Sequence, residues 1–342
     1  MNRPAKQDDA IDVPLLDLLL RASRPMTIDA LAAAMAYTGA QARAGLSALG
    51  RAGCRLEEHP VQGVTLAETG AGVWRDYLAW ARAAGGGAGA SAVIEVYRQV
   101  ASTQDAVRRV VESRGLGAHR AVAIADEQTA GRGRLGRRWL APPGKGVTFS
   151  RAQVTPADQS PFPVDRLVFA TAVAIARALE SAGGLEALAV QIKWPNDLLV
   201  DGRKIAGILV ETLPAAPGRH GGAAIIGIGV NVGLTVADLP EHAADLRDQV
   251  TSLAMLGRPR DRLRVLADAI VHTDAALDLA DIQPLLAEWR SRSTLLAQHA
   301  TYRSDGRIFR GRVIDLDPHE GLILQTDEGP IVHLPAATTT GT

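Results

Sequence analysis

Apolar residues recur at helical spacing through the first fifty positions and then change period. Leu15 to Leu20 supplies one helical face, Thr27 is placed to cap a second helix carrying Leu31 and Met35, and Thr38 to cap a third carrying Leu46 and Leu49. Two short alternating runs follow, Cys54 to His59 and Gly63 to Leu66, bridged by Pro60-Val61-Gln62, and they predict a hairpin. Three short helices followed by a hairpin predict a helix-turn-helix with a wing. Glycine and alanine then crowd Ala83 to Ala90, where no side chain is large enough to pack, which predicts a linker.

Beyond it, strand-like runs at Ala121 to Ala125, Ile205 to Val210 and Ile225 to Val232 alternate with helical patterns at 104–114, 165–181 and 260–279. This predicts a mixed α/β domain. Past Trp289 the segments shorten to Tyr302, Ile308 to Leu316, Leu322 to Gln325 and Ile331 to Leu334, separated by Asp-Gly, Asp-Pro and Glu-Gly turns. A small all-β barrel is expected there. The predicted division is 1–82, a linker at 83–91, a central domain at 92–296 and a C-terminal domain at 297–342.

Composition narrows the class. Of 342 residues 47% are apolar and 22% charged, with acids and bases balanced, so neither disorder nor a whole-chain preference for nucleic acid is indicated, and any DNA binding is local. One cysteine, Cys54, forms no internal disulfide. Asp8, Asp9 and Asp12 stand where a signal peptide needs a basic start, and the most apolar stretch, Leu167 to Leu179, is shorter than the ~20 residues that span a bilayer. A cytoplasmic protein without a membrane segment is expected.

Chemistry concentrates in four places. Gly131-Arg132-Gly133-Arg134-Leu135-Gly136-Arg137-Arg138-Trp139 contains G-x-G-x-x-G, but arginines stand where a dinucleotide fingerprint needs small residues, and no apolar helical face follows directly. Mutually repelling arginines on a glycine backbone predict a loop that orders on an anion, a phosphate-closing lid; a solvated basic loop is the competing reading. Lys193-Trp194-Pro195-Asn196-Asp197 ends a strand with polar groups, and Lys204 opens the next buried run, with Asp201-Gly202 turning between the lysines. Two lysines at adjacent strand ends flank one anion, or Asp197 simply pairs with Lys193. Gly227 to Asn231 is an apolar strand whose glycines read as close strand packing, with Asn231 the odd residue out. Ser102-Thr103-Gln104-Asp105 reads as a helix cap or as a set of ligand groups.

Taken in order along the chain, Ser102-Thr103-Gln104, Gln128 with Gly131-Arg132-Gly133-Arg134, Lys193 to Leu198, Lys204 with Gly207-Ile208-Leu209, and Gly227 to Asn231 resemble the biotin protein ligase family. The N-terminal and C-terminal parts resemble its bifunctional members, which also repress biotin-synthesis genes. The resemblance implies a winged helix-turn-helix, a class II synthetase-like catalytic domain of the biotin/lipoate ligase type and an SH3-like barrel. It implies that Ser102, Thr103 and Gln128 recognise the ureido ring of biotin, that Gln104 also belongs to the biotin site, that Arg132, Gly133 and Arg134 close over the ligand, and that Lys204 lies at the biotin carboxylate and α-phosphate. Gly131, Arg134, Lys193, Asn196 and Asn231 then belong to the nucleotide region, with Arg132, Lys193, Asp197 and Lys204 as the catalytic set and Asp197 orienting or deprotonating the acceptor lysine. Substrates are ATP and biotin, with Mg²⁺ carried on the ATP rather than in a dedicated protein site. Partners implied are the biotin carboxyl carrier protein of acetyl-CoA carboxylase, a homodimer and operator DNA.

Three positions depart from the family pattern: Gln104 replaces an asparagine, Leu135 a common arginine, and Thr148 an aromatic residue. The DNA expectation falls on Gln41, Arg43, Ser47 and Arg51 of the third helix, a thin set beside Glu57 and Glu58 of the wing. A relic domain that only stabilises the fold or tunes a dimer is the rival. Competing whole-chain readings are a non-catalytic ligand-sensing winged-helix regulator, a lipoate-type ligase and, weakest, a dinucleotide-dependent oxidoreductase.

Overall fold

In the computed structural model of the chain, residues 11–86, 92–181, 189–216, 218–239, 248–317, 319–335 and 338–341 are described. The chain divides into two compact units, one formed by 1–91 with 261–267 and the other by 92–260 with 268–342.

Side-chain caps set the start of the first three helices in the first unit. Asp12 Oδ1 accepts from Leu15 N at 3.0 Å to open α1 (Val13–Arg21), Thr27 caps α2 (Ile28–Met35), and Thr38 with Gln41 forms a reciprocal capping box on α3 (Gly39–Arg51). β1 (Arg55–His59) and β2 (Gly63–Glu68) pair antiparallel. A fourth helix, α4 (Trp74–Ala84), buries Trp74, Tyr77 and Leu78, while Leu15, Leu16, Leu31 and Leu49 form the apolar faces of the first three. Tyr77 donates to Asp17 Oδ1 at 2.8 Å, so the one polar atom of that buried ring has a partner. Helix α4 runs into the segment whose composition suggests a linker; of that segment, 87–91 lies outside the described residues.

The second unit is built on a seven-stranded sheet of order β3-β4-β5-β9-β8-β7-β6. Its elements in chain order are β3 (Ile94–Val100), α5 (Thr103–Arg114), β4 (Val122–Gln128), β5 (Gly146–Thr155), α6 (Val164–Ser181), β6 (Gln191–Lys193), β7 (Asp197–Val200), β8 (Arg203–Leu213), β9 (Gly222–Asn231), the part of α7 (Arg262–Leu277) from residue 268 on, and α8 (Gln283–Arg292). β3 and β4 run parallel and the other neighbours antiparallel. Val107, Val110 and Val111 of α5 pack with Ala123, Ala152, Val154 and Ile225 of the sheet. Twelve residues of α6 are buried, and its Phe169 ring lies 4.7 Å from Trp289 of α8.

The turn between β7 and β8 shows why Asp-Gly stands there. Asp201 has φ 50° and Gly202 φ 74°, both in the left-handed region that a primed hairpin turn demands. Farther along, β10 (His299–Ser304), β11 (Arg307–Asp317), β12 (Gly321–Thr326), β13 (Ile331–Leu334) and β14 (Thr339–Gly341) form an antiparallel sheet of order β13-β12-β11-β10-β14. Val313, Leu316, Leu322, Leu324 and Leu334 fill its interior. The class is therefore mixed α and β, with a central mixed sheet between N-terminal helices and a C-terminal antiparallel sheet in the chain order. Among the described residues no helix is long and apolar enough to cross a membrane.

Candidate active site

Strand register writes a row of nearly bare positions across the central sheet. Ala125, Thr148, Gly229, Gly207 and Asp197 are successive cross-strand partners from β4 to β7, and two residues along, on the same face, Ala123, Ser150, Gly227 and Leu209 form a second row. Above this floor lies a cavity of about 450 Å³. Its glycines are required by what sits on them. A Cβ at Gly229 would fall 2.3 Å from Trp139 Cε2, one at Gly227 2.8 Å from Gln104 Nε2, and one at Gly207 3.1 Å from both Lys204 Nζ and Trp139 Cζ3.

One end of the cavity is uncharged and rich in hydrogen-bonding groups. Ser102 caps α5, its Oγ accepting from Gln104 N at 3.3 Å. Thr103 donates to Gln128 Oε1 from both its backbone nitrogen, at 2.8 Å, and its hydroxyl, at 3.1 Å, and its hydroxyl lies 2.7 Å from Ser150 Oγ. Because the Thr103 proton goes to Gln128, Ser150 donates to Thr103, and Gln128 keeps its NH₂ group for another acceptor. Gln104 is buried, its Nε2 donating to Leu209 O at 3.4 Å while Oε1 has no partner. A buried carbonyl left in that state favours a ligand N–H.

The other end is charged. Lys204 Nζ lies 2.5 Å from Asp197 Oδ1 and 5.5 Å from the centre of the Trp139 ring. Arg134 donates to Asn196 Oδ1 at 3.4 Å, and burial holds its guanidinium below the usual arginine range. Asn196 is itself fixed, its Nδ2 donating to Ile208 O at 2.7 Å and its backbone carbonyl accepting from Ile208 N at 3.0 Å. Lys193, at the end of β6, is exposed and lines the cavity.

The arginine-glycine segment forms a hairpin: Gly133 N donates to Arg137 O at 2.7 Å and Trp139 N to Gly131 O at 3.1 Å, with Leu135 at φ 57° and Gly136 at φ 73° making the turn. Within it Arg132 pairs with Asp105 and Glu211, at 2.8 and 3.1 Å. Arg132, Gly133 and Arg134 all line the cavity.

Ser102, Thr103, Gln104, Gln128, Arg132, Gly133, Arg134, Lys193, Asn196, Asp197 and Lys204 thus gather around one space, whereas Gly131 and Asn231 do not line it. Asn231 ends β9 two residues beyond Gly229, donating from Nδ2 to Thr251 O at 3.0 Å and Lys204 O at 3.4 Å. The C-terminal sheet adds Ala300, Thr301, Tyr302 and Thr339 to the lining, which the sequence reading misses because nothing in their spacing marks them. Tyr302 stands edge-on to Trp194, ring centres 6.3 Å apart. In the first unit, Gln41 spends its carboxamide oxygen on the α3 cap, while Arg43, Ser47 and Arg51 are exposed. No cluster of three metal-ligating side chains occurs among the described residues.

Residues 96–231 match the model of the biotin/lipoate A/B protein ligase family. The chain is 33% identical over 215 residues to the bifunctional ligase/repressor BirA of Bacillus subtilis, covering 61% of this chain and 62% of that one. It therefore spans less than two thirds of the Bacillus relative's length. It is 33% identical over 220 residues to the biotin--[acetyl-CoA-carboxylase] ligase of Paracoccus denitrificans, covering 63% and 87%. The fold is similar to that of the biotin protein ligase from Aquifex aeolicus in complex with biotin and ATP, with TM-score 0.59, 24% identity, and coverage of 73% of this chain and 99% of that one.

Proposed function

Because the chain belongs to the biotin/lipoate A/B protein ligase family, we propose that it is a biotin protein ligase, making biotinyl-5′-AMP from biotin and ATP and passing biotin to a lysine of a carrier protein. The observation that carries this is the polarity of one cavity: a neutral end of matched donors and acceptors around Thr103, Gln104 and Gln128, and a cationic end around Lys204 and Arg134. A cyclic urea has N–H donors for Gln104 Oε1 and a carbonyl for the Gln128 NH₂, so the neutral end suits the ureido ring of biotin. The glycine floor leaves room for the bicycle and its chain, which carries the carboxylate toward Lys204.

In this reading a biotin carboxylate oxygen attacks the α-phosphorus of ATP, the bond to the β-phosphate bridging oxygen breaks, and pyrophosphate leaves. Lys204, with Arg134 of the hairpin, opposes the charge that develops on the phosphoryl oxygens, while Arg132, paired with Asp105 and Glu211, closes the hairpin over the ligand. The acceptor amine then attacks the acyl carbon and AMP departs, with Asp197 orienting that amine or taking its proton. Lys193 and Asn196 line the nucleotide end. Asn231, at the end of β9, holds the Lys204 backbone. Magnesium enters on the nucleotide substrate, held by its phosphates.

The carrier is the biotin carboxyl carrier protein of acetyl-CoA carboxylase, in keeping with the name of the Paracoccus relative. The N-terminal helices and hairpin have the order of a winged helix-turn-helix, and the C-terminal sheet that of an SH3-like barrel. The Bacillus relative is named a ligase and repressor, so operator DNA and a homodimer are the further partners proposed, with Arg43, Ser47 and Arg51 facing the duplex. Anisotropy of a labelled promoter fragment, with and without biotin and ATP, tests that part.

ATP-pyrophosphate exchange tests the enzyme. Exchange is expected with biotin, not with lipoate, and is lost in Lys204→Ala. A folded chain that exchanges with neither acid overturns the reading and leaves a ligand sensor; exchange with lipoate alone reassigns the substrate.

A further inference from the structure

The lid hairpin 131–139 is anchored by carboxylates from outside it. Arg132 makes a two-point contact with Asp105, Nη1 to Oδ2 at 3.0 Å and Nη2 to Oδ1 at 2.8 Å, and turns its Nε toward Glu211 Oε1 at 3.1 Å. Asp105 lies in the first turn of α5 and Glu211 near the end of β8. Arg108, one turn along α5, shares Glu211 at 2.8 Å, so two cations and two anions alternate along one chain of contacts. Forked pairing of a guanidinium with a carboxylate fixes orientation as well as position. The same helical turn that presents Ser102, Thr103 and Gln104 to the cavity therefore also grips the lid.

We infer that Asp105 is a positioning residue: acting through Arg132, it keeps the hairpin closed over the cavity and retains the reactive mixed anhydride until the acceptor arrives, a role that rests on the adenylating reading of the site. The acyl-phosphate bond hydrolyses in water, so a hairpin held over the cavity limits escape between the two steps. Glu211 steadies the same guanidinium from the sheet side. An acidic residue at this place also favours the helix dipole, so simple loss of stability is the competing account of any defect.

Two measurements on the full chain separate these possibilities. Without ligand, amide hydrogen exchange is read at Gly133, Arg137 and Trp139, whose N–H groups are bonded within the hairpin. Asp105→Asn is expected to speed their exchange while leaving the α5 amides unchanged, and Asp105→Glu to restore most of the protection. With biotin and ATP but no acceptor, biotin-dependent release of AMP reports escape and hydrolysis of the intermediate. It is expected to rise roughly threefold to tenfold in Asp105→Asn, the range for losing one partly exposed forked pair, and not to rise further when Asp105→Asn is added to Arg132→Gln. Unchanged hairpin exchange, or slackening of α5 together with the hairpin, overturns the anchor. Faster exchange without extra AMP release overturns retention. A wild-type chain without biotin-dependent exchange of pyrophosphate overturns the ligase reading instead, while the ligand-free measurement still judges the anchor.

Discussion

Lys204 Nζ lies 2.5 Å from Asp197 Oδ1, although the residue opposite Asp197 in the β6–β7 ladder is Lys193. The local pairing that sequence proximity suggests is thus set aside for one that crosses to β8. The consequence is that the cation assigned to the phosphoryl step and the carboxylate assigned to the acceptor amine are held by each other. Removing either disturbs both. Lys204→Ala is expected to lower pyrophosphate exchange by at least about 10²-fold, the scale of losing a preorganised charge at a developing oxyanion. Asp197→Asn is expected to slow exchange as well as transfer, and the double variant to be little worse than Lys204→Ala, because residues that act as a unit do not add. Additive losses would show that the two work independently.

The glycine floor gives an ordered series. Alanine at Gly229 drives a methyl group into the Trp139 indole, at 2.3 Å, whereas at Gly207 it meets the movable end of Lys204 and the edge of the same ring at 3.1 Å. Gly229→Ala is therefore expected to raise the KM for biotin and ATP more than Gly207→Ala does. Combining Gly229→Ala with Trp139→Ala should recover part of the defect, since the clash has one named partner. Exchange kinetics of the four proteins decide it. No recovery in the double variant would mean that the backbone, not the indole, is displaced.

The elements that the sequence reveals are those whose stability is local. Thr27 and Thr38 cap the helices they predict, and Asp201-Gly202 makes the turn it predicts, because side chain and backbone settle the matter within a few residues. Strand β5 is not legible in this way. All ten of its residues are buried, yet they include Thr148, Ser150, Arg151 and Gln153, so neither alternation nor an apolar run marks it. Its polar groups rest in part on distant partners, Thr103 for Ser150 and Asp274 for Arg151, beside the local contact of Arg151 with Gln153. The site shows the same division. Ser102 to Gln104, Gln128, the arginines and Lys204 are readable as clustered motifs, whereas the pairing of Arg132 with Asp105 and Glu211, and the share of the cavity given by Tyr302 and Thr339, depend on tertiary placement.

That dependence makes a stability prediction. Arg151 is fully buried and its Nε donates to Asp274 Oδ1 at 2.7 Å. Asp274→Ala strands a guanidinium inside the sheet unit and is expected to destabilise it by about 3–5 kcal/mol, as for other broken buried pairs. Replacing both residues with apolar ones of similar size should be milder. Urea unfolding followed at the second unit measures this, and a double variant worse than the single would contradict it.

His119 stands beside that pair and sets a pH dependence. Burial, with Arg151 and Arg120 nearby, pushes its imidazole down to about 4, and its Nδ1 accepts from Val154 N at 3.2 Å, an arrangement open only to the neutral ring. The unfolded chain binds the proton near the ordinary value of 6.5, so between about 6.5 and 4 unfolding takes up protons that the folded state refuses. The contribution is complete above 6.5 and is lost as pH falls toward 4. Asp165 acts in the opposite sense across much of the same window: burial raises its carboxyl to about 6, so its protonation on acidification favours the folded state. The total slope mixes the two, and only a difference isolates the histidine. Wild type should lose stability relative to His119→Gln as pH falls from 6.5 to 4, and the two curves should run parallel above 6.5. Denaturant midpoints taken at half-unit steps give that difference, and parallel curves throughout would show that the folded state accepts a proton on His119 as readily as the unfolded chain does.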